Sequence, residues 1–154
     1  MMLFSGTMTL DAEAGKVWDF LLDAKAFAAC VPGVEKVVQI DERTFEGVIQ
    51  ATVGPISGEF PFRAEIKDSK PPTELSALVH GTDSITRSTI DAELSLVLTA
   101  LPADQTELGY KAVVNIKGRL AIIGDMVLRA TAAVMLEEFK DRVRRNLESD
   151  LVTF

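Results

Sequence analysis

A chain of 154 residues, 47% hydrophobic and 25% charged, has the length and composition of one globular domain spanning 1–154 and not those of a disordered protein. Its formal net charge of -7, from 16 Lys and Arg against 23 Asp and Glu, argues against a nucleic-acid partner, whose binding draws on clustered cations and counterion release. A single cysteine, Cys30, excludes an intrachain disulfide; with no basic-then-apolar leader and no run of roughly 20 apolar residues, a cytoplasmic location is the expectation.

Residues 2–10 carry Leu3, Met8 and Leu10 among small and polar residues and predict a first strand. Asp11 is placed to cap a helix bearing Val17, Trp18, Phe20 and Leu21 at helical spacing, with Glu13 in its first turn. Asp23 is placed to cap a second, shorter helix over Lys25 to Ala29, which Pro32 and Gly33 end.

From Val34 the period becomes two. Val34 to Ile40 predicts a strand and Asp41 to Arg43 a turn, after which Phe45, Gly47, Ile49, Ala51 and Val53 alternate with polar residues. Gly54 and Pro55 turn the chain into Phe60, Phe62, Ala64 and Ile66, which alternate with Glu59, Arg63, Glu65 and Lys67. Beyond Pro71 and Pro72 come Leu75, Ala77 and Val79, then Ile90, Ala92, Leu94, Leu96 and Leu98. The last strand carries Leu108, Tyr110, Ala112, Val114 and Ile116. Seven strands in all are predicted. From Asp125 to Glu148 neither Gly nor Pro interrupts a helical stripe of Leu128, Ala132, Met135, Leu136, Phe139, Val143 and Leu147, so a long amphipathic helix starting near Gly124 is expected to close the chain. Lys140, Arg142, Arg144 and Arg145 complement its C-terminal dipole, or face phospholipid headgroups or another protein.

One dry and one wet face predict an α+β fold: a curved seven-stranded antiparallel sheet, two short helices after the first strand, and the long helix laid over an apolar interior. Inward Gly47, Ala51, Ala64, Ala77, Ala92, Ala112 and Ala132 beside Phe45, Phe60, Phe62, Leu94, Leu96 and Tyr110 mean either tight interdigitation or a ligand cavity.

Catalytic signals are thin. His80 has no Cys or second His at ligand spacing, so no metal site is expected; it reads as a solvated strand-end residue or a polar contact at a cavity mouth. Cys30 reads as a small buried hydrophobe at the helix-to-strand corner, or as a nucleophile that would need His80 beside it. Glu46, Glu59, Glu65, Asp91 and Glu93 fall on the wet phase of their strands, and Arg63 and Arg87 read as surface residues or as groups orienting a polar head. Gly54 to Gly58 joins two strands, where a phosphate cradle needs a following helix N-terminus.

Three stretches together resemble a known family: Val17-Trp18-Asp19-Phe20-Leu21-Leu22-Asp23, Cys30-Val31-Pro32-Gly33-Val34 leading into a strand, and Lys117-Gly118-Arg119-Leu120-Ala121-Ile122-Ile123-Gly124 before the long helix. With Gly81-Thr82-Asp83 and Thr106-Glu107-Leu108-Gly109-Tyr110 they extend the likeness over nearly the whole chain. The family they resemble is the G-subunit family of carbon monoxide dehydrogenase, within the START-like (SRPBCC, helix-grip) superfamily. The resemblance implies a cavity between sheet and C-terminal helix for an apolar small molecule, a lipid or isoprenoid quinone held non-covalently, with no covalent cofactor. It also implies a molybdenum-containing dehydrogenase as partner and a place at the inner face of the membrane. Family members commonly run on into a linker and a membrane-seeking tail, whereas this sequence ends at Phe154 after Leu151 and Val152. A general lipid or quinone binder with at most peripheral membrane contact is therefore the expectation.

The residues expected to line the cavity are Trp18, Phe45, Phe60, Phe62, Leu94, Leu96, Tyr110, Leu128, Thr131 and Met135, with Met126 to Phe139 as its movable wall. Without an inward acid or base beyond Tyr110, binding is favoured over turnover. The alternatives are an enzyme, a cyclase or hydrolase, acting on an apolar substrate in the same cavity, and an adaptor docking an oxidoreductase through the outside of the long helix.

Overall fold

The computed structural model describes residues 1–83 and 87–148. The side chain of Val53 and the terminal Leu151, Val152 and Phe154 lie outside the described residues. The chain runs β1 (Met2–Leu10), α1 (Ala14–Leu22), α2 (Ala24–Cys30), β2 (Val34–Gln39), β3 (Thr44–Val53), β4 (Ile56–Lys70), β5 (Glu74–Asp83), β6 (Ser88–Leu101), β7 (Gln105–Lys117), α3 (Arg119–Ile122) and α4 (Asp125–Glu148). All seven strands join one antiparallel sheet in the order β1-β7-β6-β5-β4-β3-β2. Strands two to seven are hairpin neighbours in sequence, while β1 crosses to the far edge and pairs with β7, Met8 facing Leu108 and Leu10 facing Thr106.

Local chemistry explains the punctuation. The Asp23 carboxylate accepts from the Ala26 amide at 3.2 Å and caps α2 as expected. Asp11 does not cap α1: its N-cap is Glu13, without a side-chain cap bond, and Asp11 instead accepts from Gln105 Nε2 at 3.1 Å, drawn to the β6–β7 turn by sheet closure. Gly33 holds φ +83, and a Cβ there would collide with the Gln50 carbonyl oxygen; its own carbonyl accepts from the Gln50 amide at 2.8 Å. Gly118 holds φ +91 with its α-carbon face against the Arg87 carbonyl, and Leu120 N donates to the buried Ser88 hydroxyl at 2.9 Å. Both glycines belong to the stretches that carry the family resemblance. Their role is to bring helices close to strand backbones.

Two apolar clusters form on the concave side. The larger gathers Leu10, Val17, Trp18, Phe20, Cys30, Leu98, Leu108, Val143 and Leu147, pinning α1, α2 and the end of α4 to the sheet. The smaller, Met2, Phe60, Leu120 and Leu128, ties α3 and the start of α4 to the opposite end. Since the two are separate, the sheet between them is only partly filled.

Candidate functional site

Between the middle strands and a roof of α2 and β2 lies a cavity of about 330 Å³. Register explains its floor. One row across the sheet runs Phe45, Ala64, Val79, Ala92, and the next runs Gly47, Phe62, Gly81, Ile90. Alanine and glycine leave space where a larger residue would fill it, and Phe62 finds room for its ring between two glycines. A Cβ on Gly47 would come within 2.9 Å of Phe62 Cζ. The roof is supplied by Leu21 of α1, by Ala24, Phe27 and Ala28 of α2, and by Val31, Val34 and Val37.

Every residue bordering this space is apolar except Glu65, which strand alternation between Ala64 and Ile66 points to the outer face, where it is exposed. The buried polar residues lie elsewhere: Thr106 donates to the Ala12 carbonyl at 2.7 Å, Ser88 accepts from Leu120, and neither they nor Thr44 and Asp83 border the cavity. Among the described residues no buried side-chain nitrogen or oxygen lacks a hydrogen-bond partner, so nothing there calls for a polar ligand atom. Nor does any group of three or more His, Cys, Asp or Glu among them stand close enough to hold a metal.

Of the ten residues expected at the site, the structure brings together Phe45, Phe60, Phe62, Leu94 and Leu96. The other five are placed apart. Trp18 is buried in the larger apolar cluster, and Leu128 in the smaller one. Thr131 donates its hydroxyl to the Val127 carbonyl at 3.0 Å within α4, and Met135 stays half-buried on that helix. Tyr110 lies on the inner face but at the β1–β7 seam, its hydroxyl over Gly6, with the Lys140 ammonium 5.4 Å from its ring centre. Hydrogen bonding to the Tyr110 hydroxyl, against the opposing effect of burial, raises the pKa of Lys140.

The physical reason for this separation is the path of α4. Its contacts are with α2 foremost, then β1, α1 and β3, and none of Met126 to Phe139 borders the cavity. Sequence reasoning missed the α2 roof. Its signal was present in Ala24, Phe27 and Ala28, at the i, i+3, i+4 spacing of one helix face.

His80 lies within β5 and not at its end, on the outer face, where its Nδ1 is hydrogen-bonded to Asp91 Oδ1. Cys30 is 2% exposed, and burial raises its thiol pKa more than Arg142 and Arg145 lower it, so it is a poor nucleophile.

A family profile described as CoxG, the G subunit of carbon monoxide dehydrogenase, matches residues 6–148. The chain belongs to that family. Among solved structures, this CoxG family member is similar to a conserved protein of Geobacillus kaustophilus, with a TM-score of 0.87 and 23% identity over 96% of both chains. A START superfamily protein of Mycobacterium smegmatis aligns with a TM-score of 0.70 and 13% identity over 96% of this chain and 97% of its own. A Chromobacterium violaceum protein gives 0.71 and 16% over 95% and 97%. At these identities the likeness establishes the START-like fold alone. No curated protein matches the sequence. No described helix is long and apolar enough to cross a membrane.

Proposed function

We propose that this CoxG family member is a carrier that holds the apolar part of a lipid or isoprenoid quinone in the cavity between α2 and strands β3–β6. The observation that carries this reading is the lining: some twenty apolar residues with no inward charge enclose about 330 Å³. An apolar space of that size forgoes on the order of several kcal/mol of packing when nothing fills it. Burial of hydrocarbon supplies about 25 cal/mol per Å² to a ligand that does. With no polar anchor in the wall, the hydrocarbon tail is the recognised part and a quinone ring or headgroup stays at the surface. In the family context the carrier would exchange quinone between a molybdenum-containing dehydrogenase and the inner face of the membrane.

Turnover in the same space would need an inward acid or base, and the lining supplies none. Organic extraction of the purified protein followed by mass spectrometry, with native mass spectrometry after adding a quinone of medium chain length, tests the proposal. Co-purified or added isoprenoid bound one to one supports it. A clean protein that also leaves added quinone unbound overturns it.

A further inference from the structure

The stretch of α4 from Met126 to Met135 contains one charged residue, Arg129, whereas Leu136 to Glu148 contains eight. A helix segment apolar on all sides is normally covered on all sides. Here only Leu128 is buried; Met126 is 85% exposed and Val134 72%, eight residues apart on one face with exposed Ala130 between them. Ile122 of α3, 82% exposed, extends the same apolar surface.

The charge around this surface is opposite to that of the whole chain. Lys117 and Arg119 flank Gly118, whose backbone lies against the Arg87 carbonyl, so three exposed cationic residues stem from neighbouring backbone at the root of α3. Arg129 adds a fourth, over the Phe4 ring. Among the described residues, exposed carboxylates toward this end include Asp125, in the first turn of α4, and Glu35 and Glu59, which accept from Gln50 Nε2 on the outer side of the sheet. An apolar tip ringed by cations on a protein of net charge -7 fits a bilayer surface bearing anionic headgroups, with the acidic body held away from it.

We propose that α3 and the opening turns of α4 dock this protein onto anionic phospholipid, Ile122, Met126 and Val134 entering the acyl-chain boundary while Lys117, Arg119 and Arg87 meet the phosphates. The β3–β4 turn closes against the same surface: a Cβ on Gly54 would lie 3.5 Å from Val127 and 3.6 Å from Ile123. Ile123 packs in the cluster that contains Phe60, a cavity wall residue, so docking sets one end of the cavity beside the bilayer. The inference stands on its own surface and does not require a bound ligand.

Delipidated full chain is sedimented with vesicles of phosphatidylcholine alone and of phosphatidylcholine containing phosphatidylglycerol. Binding is expected only to the doped vesicles and is expected to weaken with salt. Met126→Asp and Ile122→Asp, at exposed positions that leave the thermal midpoint unchanged, each lower it about tenfold or more. Arg119→Gln lowers it roughly fivefold. Arg144→Gln, near the far end of α4, leaves it unchanged. Three results would overturn the proposal: wild-type protein that ignores doped vesicles, release by Arg144→Gln but not by Met126→Asp, or a dimer in light scattering that Met126→Asp splits while vesicle binding persists. Protein that pellets with vesicles yet binds no quinone defeats the carrier reading alone, and the reverse result defeats this one alone.

Discussion

The ring of Phe27 meets that of Phe139 edge-on, 5.5 Å between centroids at 60°. Phe27 borders the cavity and Phe139 does not, so this contact is where the long helix acts on a space it does not line. Arg142 Nη1 reinforces the joint at the Ala29 carbonyl, 3.4 Å away.

Loss of that brace loosens the roof. Phe139→Ala is expected to cost about 2 kcal/mol in denaturant unfolding, less than a fully buried Phe because the ring is half-buried. A double-mutant cycle with Phe27→Leu and Phe139→Leu is expected to give a coupling of about 1 kcal/mol. Coupling indistinguishable from zero would mean that α2 and α4 pack independently.

Filling the floor separates binding from folding. Ala64→Leu and Ala77→Leu place extra carbons into open space, so the thermal midpoint holds or rises while quinone capture in native mass spectrometry falls about tenfold. In a packed core the same changes cost about 1–3 kcal/mol, and that outcome would deny the cavity.

Two glycines are expected to be intolerant and one to be improvable. Gly33→Ala and Gly118→Ala meet carbonyl oxygens at positive φ and should each lose more than about 1 kcal/mol in thermal unfolding. Gly15→Ala, at an exposed position in the first turn of α1 with nothing near its Cβ, should gain roughly 0.5–1 kcal/mol. Equal behaviour of all three would remove the geometric explanation.

Cys30 links stability to pH. Burial raises its thiol pKa above the ordinary 9.0, so above that pH the folded chain retains a proton that the unfolded chain releases. Its contribution is complete below pH 9.0 and is lost as pH rises through the folded value. The alkaline decline in thermal midpoint should therefore be shallower in Cys30→Ala. Iodoacetamide should react with the native thiol far more slowly than with the unfolded one; equal rates would contradict the burial.

The strands were legible because alternation is local: Phe45 to Ala51 and Phe60 to Ile66 declare an inner face whatever else the chain does, and Gly54 with Pro55 marks the turn. The inner-face aromatics followed from the same signal. What covers them did not. Helix α4 turns inward the face its period predicts, with Val143 and Leu147 buried, yet its neighbours depend on where the helix crosses the sheet, which no single segment encodes. Helix α2 does place Ala24, Phe27 and Ala28 on one face, but in seven residues with alanines all round that spacing does not tell a cavity roof from ordinary core packing. Asp11 satisfied the rules for a cap but found a better partner in Gln105, 94 residues away.

Among the described residues β1 pairs with β7 alone, and that pairing sets a timetable. As the chain leaves a ribosome, β1 emerges before the other six strands and its partner after them, so Met2, Phe4, Met8 and Leu10 remain without their sheet neighbour until residues 105–117 have appeared. Strands β2 to β7 can zip in sequence through short turns meanwhile. In pulse-labelled hydrogen exchange during refolding, amides of β1 should gain protection after those of β4 and β5; simultaneous protection would indicate that the edge forms with the nucleus. Such late closure makes the N-terminal strand the segment on which a chaperone has longest to act, and the last stitch in a sheet otherwise completed from its opposite side.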